Sequence, residues 1–243
     1  MKFLRGVDEL KQYLSNSSCQ IGCLADTGFL YGLAYEDDRL FNHANDIHDA
    51  LAEASIPIYA NVISRLELID LVFRKQVTNG CIQIFNSMKS SIQSSETFNA
   101  LKYIRDKDTE AKRKHESYKI DERRLKTIRK NIDSTFGVSD WNGFCSKYIG
   151  TMLETEWSIL EQEFGLNFVE VLEGQMSPLF NSPLYWKDMV NVMSKYGQRG
   201  PDAMIINLFL QSKFPLLITS DGDFETCLAD PQISNSDKAI LIL

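Results

Sequence analysis

Four carboxylates in this chain, Asp26, Glu67, Asp202 and Asp221, have the type and placement to act together. Asp26 follows the apolar run 21–25, and Glu67 lies in Asn61-Val-Ile-Ser-Arg-Leu-Glu67. Asp202 lies in Gly200-Pro-Asp202, and Asp221 in Leu216-Leu-Ile-Thr-Ser-Asp221-Gly-Asp223. Asp26 and Asp221 end predicted strands, while Glu67 and Asp202 open predicted helices. Ligands of open α/β sheets collect beyond the carboxyl ends of the strands, so this spacing gathers all four acids at one edge. There they repel one another at neutral pH unless a cation lies between them. These segments carry no His or Cys, and carboxylate oxygens suit a hard ion, Mg or Mn, better than zinc. Singly, each acid has a plainer role. Asp26 caps a helix, and Glu67 stands at capping-box spacing from Ser64. Asp202 complements a helix dipole, and Asp221-Gly222 makes a turn.

The elements that must position these acids alternate. Apolar runs predict strands over 19–25, 56–59, 215–219 and 238–243. Helical periodicity predicts helices over 6–14, 26–33, 38–54, 61–75 and 201–212, the last with Pro201 in its first turn. Alternating strands and helices make this an α/β chain with a central parallel sheet covered on both faces. Between 79 and 131 the pattern is of long helices broken near 90–95, followed by a loop over 134–143. A helix over 151–164 carries an apolar stripe of Leu153, Trp157, Leu160 and Phe164. A connection over 176–183 precedes a helix over 185–196. The expected organisation is 1–80 and 197–243 as the two parts of an α/β domain, with 81–196 as a mainly helical insertion.

Composition narrows the setting. The 243 residues, 44% hydrophobic and 24% charged, suit one large domain or a domain with an insertion. No apolar run approaches the roughly 20 residues of a membrane span, and residues 1–9 are charged where a secretory signal is apolar. A cytoplasmic protein is expected. The five cysteines show no zinc spacing, and Cys19 and Cys23 are expected on one side of the first strand as small core residues. Net charge is −7, yet Lys89 to Lys130 holds thirteen Lys/Arg against seven Asp/Glu. Within it Lys112, Arg113, Lys114, Arg123, Arg124, Lys126, Arg129 and Lys130 are candidates to track phosphates. The alternative is a solvated helix face threaded with acids at helical spacing. Tyr103 and Tyr118 are candidates to stack on bases. His43, His48 and His115 are expected on helix surfaces, solvated or packing rather than ligating.

The segments Leu24-Ala-Asp26-Thr-Gly, Asn61-Val-Ile-Ser-Arg-Leu-Glu67, Pro201-Asp202-Ala-Met and Leu217-Ile-Thr219-Ser-Asp221-Gly-Asp223 resemble, in order, the four acidic motifs of the PIN-domain family. The stretch Asp37-Asp38-Arg-Leu-Phe-Asn-His-Ala44 resembles that family's first surface helix. The resemblance spans about 18–80 and 196–243, and Glu67 and Asp202 stand 135 positions apart, farther than compact members require. It implies a PIN-like three-layer α/β/α fold and a Mg- or Mn-dependent nuclease that hydrolyses phosphodiester bonds of single-stranded RNA. Carried over by position, Asp26, Glu67, Asp202 and Asp221 hold metal, Asp223 substitutes for Asp221 or supports it, and Thr219 supports the site through its hydroxyl. An antitoxin-like protein inhibitor, as for the toxin relatives, and a homo-oligomer are further expected partners. The competing expectation is a PIN-fold interaction module of weak or no activity whose helical insertion binds a protein. A phosphotransferase of the haloacid-dehalogenase type wants a second acid at position 28, which is Gly28.

Overall fold

The computed structural model describes residues 1–16, 19–92, 94–132, 136–171, 173–229 and 237–243. In chain order they form β1 (Lys2–Arg5), α1 (Gly6–Asn16), β2 (Cys23–Ala25), α2 (Thr27–Ala34), α3 (Phe41–Glu53), β3 (Ile58–Asn61), α4 (Val62–Met88), α5 (Ser95–Arg113) and α6 (Glu122–Asn131). There follow α7 (Trp141–Tyr148), α8 (Gly150–Glu163), β4 (Asn167–Val169), α9 (Trp186–Tyr196), α10 (Gly200–Gln211), β5 (Leu216–Thr219) and β6 (Ala239–Ile242). Two compact units result: Met1–Glu36, Leu40–Leu68 and Phe164–Leu243, and Asp37–Arg39 with Ile69–Glu163.

The first unit is built on a six-stranded sheet of order β1-β6-β5-β2-β3-β4, parallel at every pairing. Parallel sheets are buried on both faces, and the strand residues comply. Leu24, Leu217 and Ile240 lie in register and join a core with Val192 of α9 and Met204, Leu208 and Phe209 of α10. Their neighbours Cys23, Ala25, Leu216, Ile218 and Leu241 are equally buried, and α1 and α2 pack on β6 and β5. The chain fills β2, β3 and β4 in one direction, then crosses to lay β5 and β6 on the other side of β2. Strand order therefore reverses between β2 and β5, which makes that gap the switch point where such sheets bind ligands.

Several elements depart from the sequence expectation. β2 begins at Cys23, not at 19, because Gly22 turns the chain with φ +111°. A Cβ there would lie 2.6 Å from the Pro57 carbonyl and 2.7 Å from the Tyr59 ring. Cys19 consequently sits in a turn, its carbonyl accepting from the Gly22 N–H at 2.8 Å, and does not share a strand with Cys23. Gly22→Ala is expected to cost about 3 kcal/mol through backbone strain and overpacking. A denaturation midpoint equal to the parent's would refute that account. β1 and β4 are strands the periodicity did not contain. β4 pairs with β3 at Tyr59↔Asn167, so part of the segment expected as an insertion supplies a sheet strand. The stretch 164–196 lies in the first unit.

The second unit is helical. Val77, Ile84, Phe85, Leu101, Ile104 and Phe144 share its core. Local chemistry starts its helices: the Ser94, Asp121 and Asp140 side chains accept from the Thr97, Arg124 and Gly143 N–H groups, satisfying first-turn donors. The expected break near 90–95 lies between α4 and α5, with a 3₁₀ turn at Lys89–Ser91. Lys75, 5% exposed, donates to Asp37 at 2.7 Å, which pairs a charge that burial alone would penalise. Of the expected loop 134–143, residues 134 and 135 lie outside the described residues, and α7 begins at Trp141. The Leu160 side chain of the expected stripe also lies outside them. No helix among the described residues is long and apolar enough to cross a membrane.

Candidate functional site

The carboxyl ends of β2 and β5 carry a continuous chain of polar contacts across the switch point. The Asp26 N–H donates to the Ile218 carbonyl at 2.8 Å, extending the ladder one residue past β2. Asp26 caps α2, its Oδ1 accepting from the Thr27 N–H at 2.6 Å. Its Oδ2 accepts from the Thr219 hydroxyl at 2.7 Å, and Thr219 Oγ1 in turn accepts from the Asp221 N–H at 3.0 Å. Asp221 Oδ1 accepts from the Asp223 N–H at 2.8 Å. On the other side, Thr27 Oγ1 donates to Glu67 Oε2 at 2.7 Å. Two threonine hydroxyls thus link Glu67, Asp26 and the Asp221 loop.

Glu67 reaches this chain because α4 starts differently from the capping-box expectation. Asn61 Oδ1 accepts from the Ile63 and Ser64 N–H groups at 2.8 and 3.0 Å, so the side chain ending β3 caps the helix. Glu67 is left in the second turn, half-buried and bonded to Thr27 rather than to its own helix end. Asp202 is brought in by the α9–α10 joint. Gly197 ends α9 in the left-handed region, φ +69°, the usual glycine stop. Buried Gln198 donates to the Asp223 carbonyl at 2.8 Å, and Pro201 opens α10.

The acids feel one another. Burial, above all, pushes the Asp26 carboxyl up to about 6 from 3.8; the Thr219 and Thr27 hydrogen bonds oppose this, and the Glu67 and Asp202 charges add to it. Asp202 is raised mainly by burial, then by Asp221, Glu67 and Asp223, with the Arg199 guanidinium pulling the other way. Even so, among the described residues no group of three or more His, Cys, Asp or Glu forms a metal-holding cluster. The donor set is oxygen only, and Asp26 is a buried carboxylate beside like charges, a combination that suits a hard divalent cation. Thr27, Asn61 and Gln198 were missed by sequence reasoning. For Asn61 a signal was present, since Asn before a helix start is a preferred cap; Thr27 and Gln198 act across long sequence separations and left none.

Gly28 explains a further sequence observation. A Cβ at this position would lie 1.8 Å from Ser220 Oγ and 2.9 Å from Ser220 Cβ. A second acid at this position would therefore require the Ser220 side chain to move.

In the second unit the basic candidates are largely occupied by their own helices. Lys112 pairs with Asp108 at 2.8 Å, Lys114 with Glu110 at 3.2 Å, Arg124 with Asp121 at 3.2 Å and Lys126 with Glu122 at 3.1 Å. Arg124 also covers the Tyr103 ring, and Arg129 lies over Trp141. Arg113, Arg123 and Lys130 are exposed. This is the pattern of a solvated face stabilised by helical-spacing pairs.

Fold and site together define a class: an α/β protein with a parallel six-stranded sheet and an acidic edge at its topological switch point. No protein-family model matches the chain, and no curated protein or solved structure matches it.

Proposed function

We propose that this chain is a PIN-like nuclease that uses Mg or Mn to hydrolyse phosphodiester bonds of single-stranded RNA. The observation that carries the reading is the Asp26–Thr219 hydrogen bond of 2.7 Å across the β2–β5 switch point, with Glu67 and Asp202 raising the same buried carboxyl. Asp26, Glu67, Asp202 and Asp221 would hold the ion, with Asp223 beside them. When bound, the ion lowers the pKa of an attacking water and neutralises charge developing on the phosphate. The protein's part is to preorganise the oxygens. Thr219 fixes one Asp26 oxygen and the Asp221 backbone at once, and the Thr27 amide fixes the other oxygen. The Thr27 hydroxyl orients Glu67. Side chains held this way need no reorganisation as charge builds.

Asp202→Asn is expected to reduce Mn-dependent cleavage of a fluorescent single-stranded RNA on the order of 100-fold or more, the loss of several kcal/mol of charge stabilisation. Equal cleavage by parent and variant preparations, or no cleavage by the parent with Mn or Mg, would refute the reading. The second reading, an interaction module of weak activity, draws on exposed apolar side chains of the first unit. Val62 on α4 and Trp186 on α9, 54% and 51% exposed, line one apolar groove with Ile63 and Val171, and contiguous exposed apolar surface is a mark of interaction sites.

A further inference from the structure

Several arginines among the described residues are paired with a nearby acid. Arg5 meets Glu225 at 2.7 Å, Arg74 meets Asp70 at 2.7 Å, Arg105 meets Asp106 at 2.7 Å and Arg124 meets Asp121 at 3.2 Å. Arg199 is not. Its charge acts on Asp202, yet among the described residues its side chain makes no ion pair or hydrogen bond, and it is exposed.

The backbone that carries it is nevertheless held on every side. Gly197 turns the chain before it, and the Gly197 N–H returns to the Met193 carbonyl at 2.9 Å. Gln198 is buried and tied to Asp223. The Arg199 carbonyl accepts from the Ala203 N–H at 2.8 Å, and Pro201 sets the first turn of α10. A Cβ added at Gly200 or at Gly222 would meet nothing within 4 Å, so both turns border open space. A fixed base, a free guanidinium and adjacent room are the conditions for receiving a ligand from solvent.

The ligand is an anion by charge and a phosphate by shape. An edge bearing Asp26, Glu67, Asp202 and Asp221 carries more negative charge than one divalent ion offsets, so a substrate phosphodiester gains from a further cation at the approach. A guanidinium presents its donors as a planar fork that meets two phosphate oxygens at once. We propose that Arg199 is a substrate-binding residue of this edge, donating to the non-bridging oxygens of the phosphodiester being cleaved; this assignment rests on the nuclease reading above.

The test uses the full chain and a fluorescein-labelled single-stranded oligoribonucleotide, with steady-state cleavage followed in Mn and binding followed by anisotropy in Ca. Arg199→Gln is expected to lower kcat/KM on the order of 100-fold, as loss of a donor to developing charge does. It should also reduce the salt slope of binding by about one counterion. Its melting temperature should stay close to the parent's, since the exposed side chain has no hydrogen bond or ion pair to lose and its action on Asp202 is screened by solvent. Arg199→Lys keeps the charge without the fork and should recover part of the loss. If Arg199→Gln cleaves and binds as the parent does, the assignment is overturned and the nuclease reading stands. If the parent neither cleaves nor binds the oligonucleotide, the nuclease reading falls and takes this assignment with it.

Discussion

Replacing Asp26 by Asn is expected to abolish Mn-dependent cleavage and, in metal-free buffer near neutral pH, to raise the melting temperature. The two effects share one cause. Burial, with like charges added, holds the Asp26 carboxyl at about 6 against 3.8 in the unfolded chain, so the folded state binds this proton more tightly. The associated stability is fully present below about pH 4 and is lost as pH rises through about 6. A shift of roughly two pH units corresponds to about 3 kcal/mol. Asn is neutral throughout and keeps an oxygen to accept from the Thr27 N–H. Its stability should stay level across the window in which the parent's declines. Chemical denaturation in EDTA on either side of that window decides the matter, and parallel pH profiles for parent and variant would defeat the account.

Lys238→Met is expected to cause a large loss of stability at a site well away from the acidic edge. The Lys238 ammonium donates to the carbonyls of Phe209, Ser212 and Phe214 at 2.7, 2.7 and 2.8 Å and lies over the Phe209 ring at 4.5 Å. These carbonyls belong to the end of α10 and the connection into β5, where helix carbonyls lack intrahelical partners and the dipole favours a cation. Burial pushes the amine down to about 8, so at neutral pH it remains mostly charged and all three donors are available. Met fills similar volume but removes three charge-assisted bonds; the Ser212 hydroxyl still donates to the Phe209 carbonyl and the Asn181 amide to the Ser212 carbonyl, so the cost is about 2 kcal/mol. A midpoint unchanged from the parent would show that water replaces the ammonium without penalty.

Some of the site's scaffold was readable before any coordinates, for reasons that are local. Asp26 capping α2, Pro201 opening α10 and the apolar run that becomes β5 each depend on residues within one turn or one strand. The helices expected over 185–196 and 201–212 match α9 and α10 to within a residue. Other features were not readable. β1 has four residues and β4 three, too few for a period to register. α4 runs 27 residues to Met88, past the expected end at 75, because nothing in its sequence forces a stop there. The basic stretch gave a count of charges, but whether a lysine is free or paired depends on rotamers.

By itself the sequence determined most of the alternation of strands and helices, that Asp26 and Asp202 stand at helix starts and Asp221 just past a strand, and that acid oxygens suit a hard cation. These are consequences of short-range sterics, capping and donor chemistry. Only the tertiary structure decided that β5 lies beside β2, and hence that strand order reverses at Asp26. The Thr219–Asp26 bond joins positions 193 apart, and the Thr27–Glu67 bond joins positions 40 apart. No local preference encodes such contacts, because they exist only after the sheet has closed and paid its loop entropy. The raised Asp26 carboxyl belongs to the same category: it is created by burial and by the charges of Glu67 on α4 and Asp202 on α10, which reach it only in the folded chain.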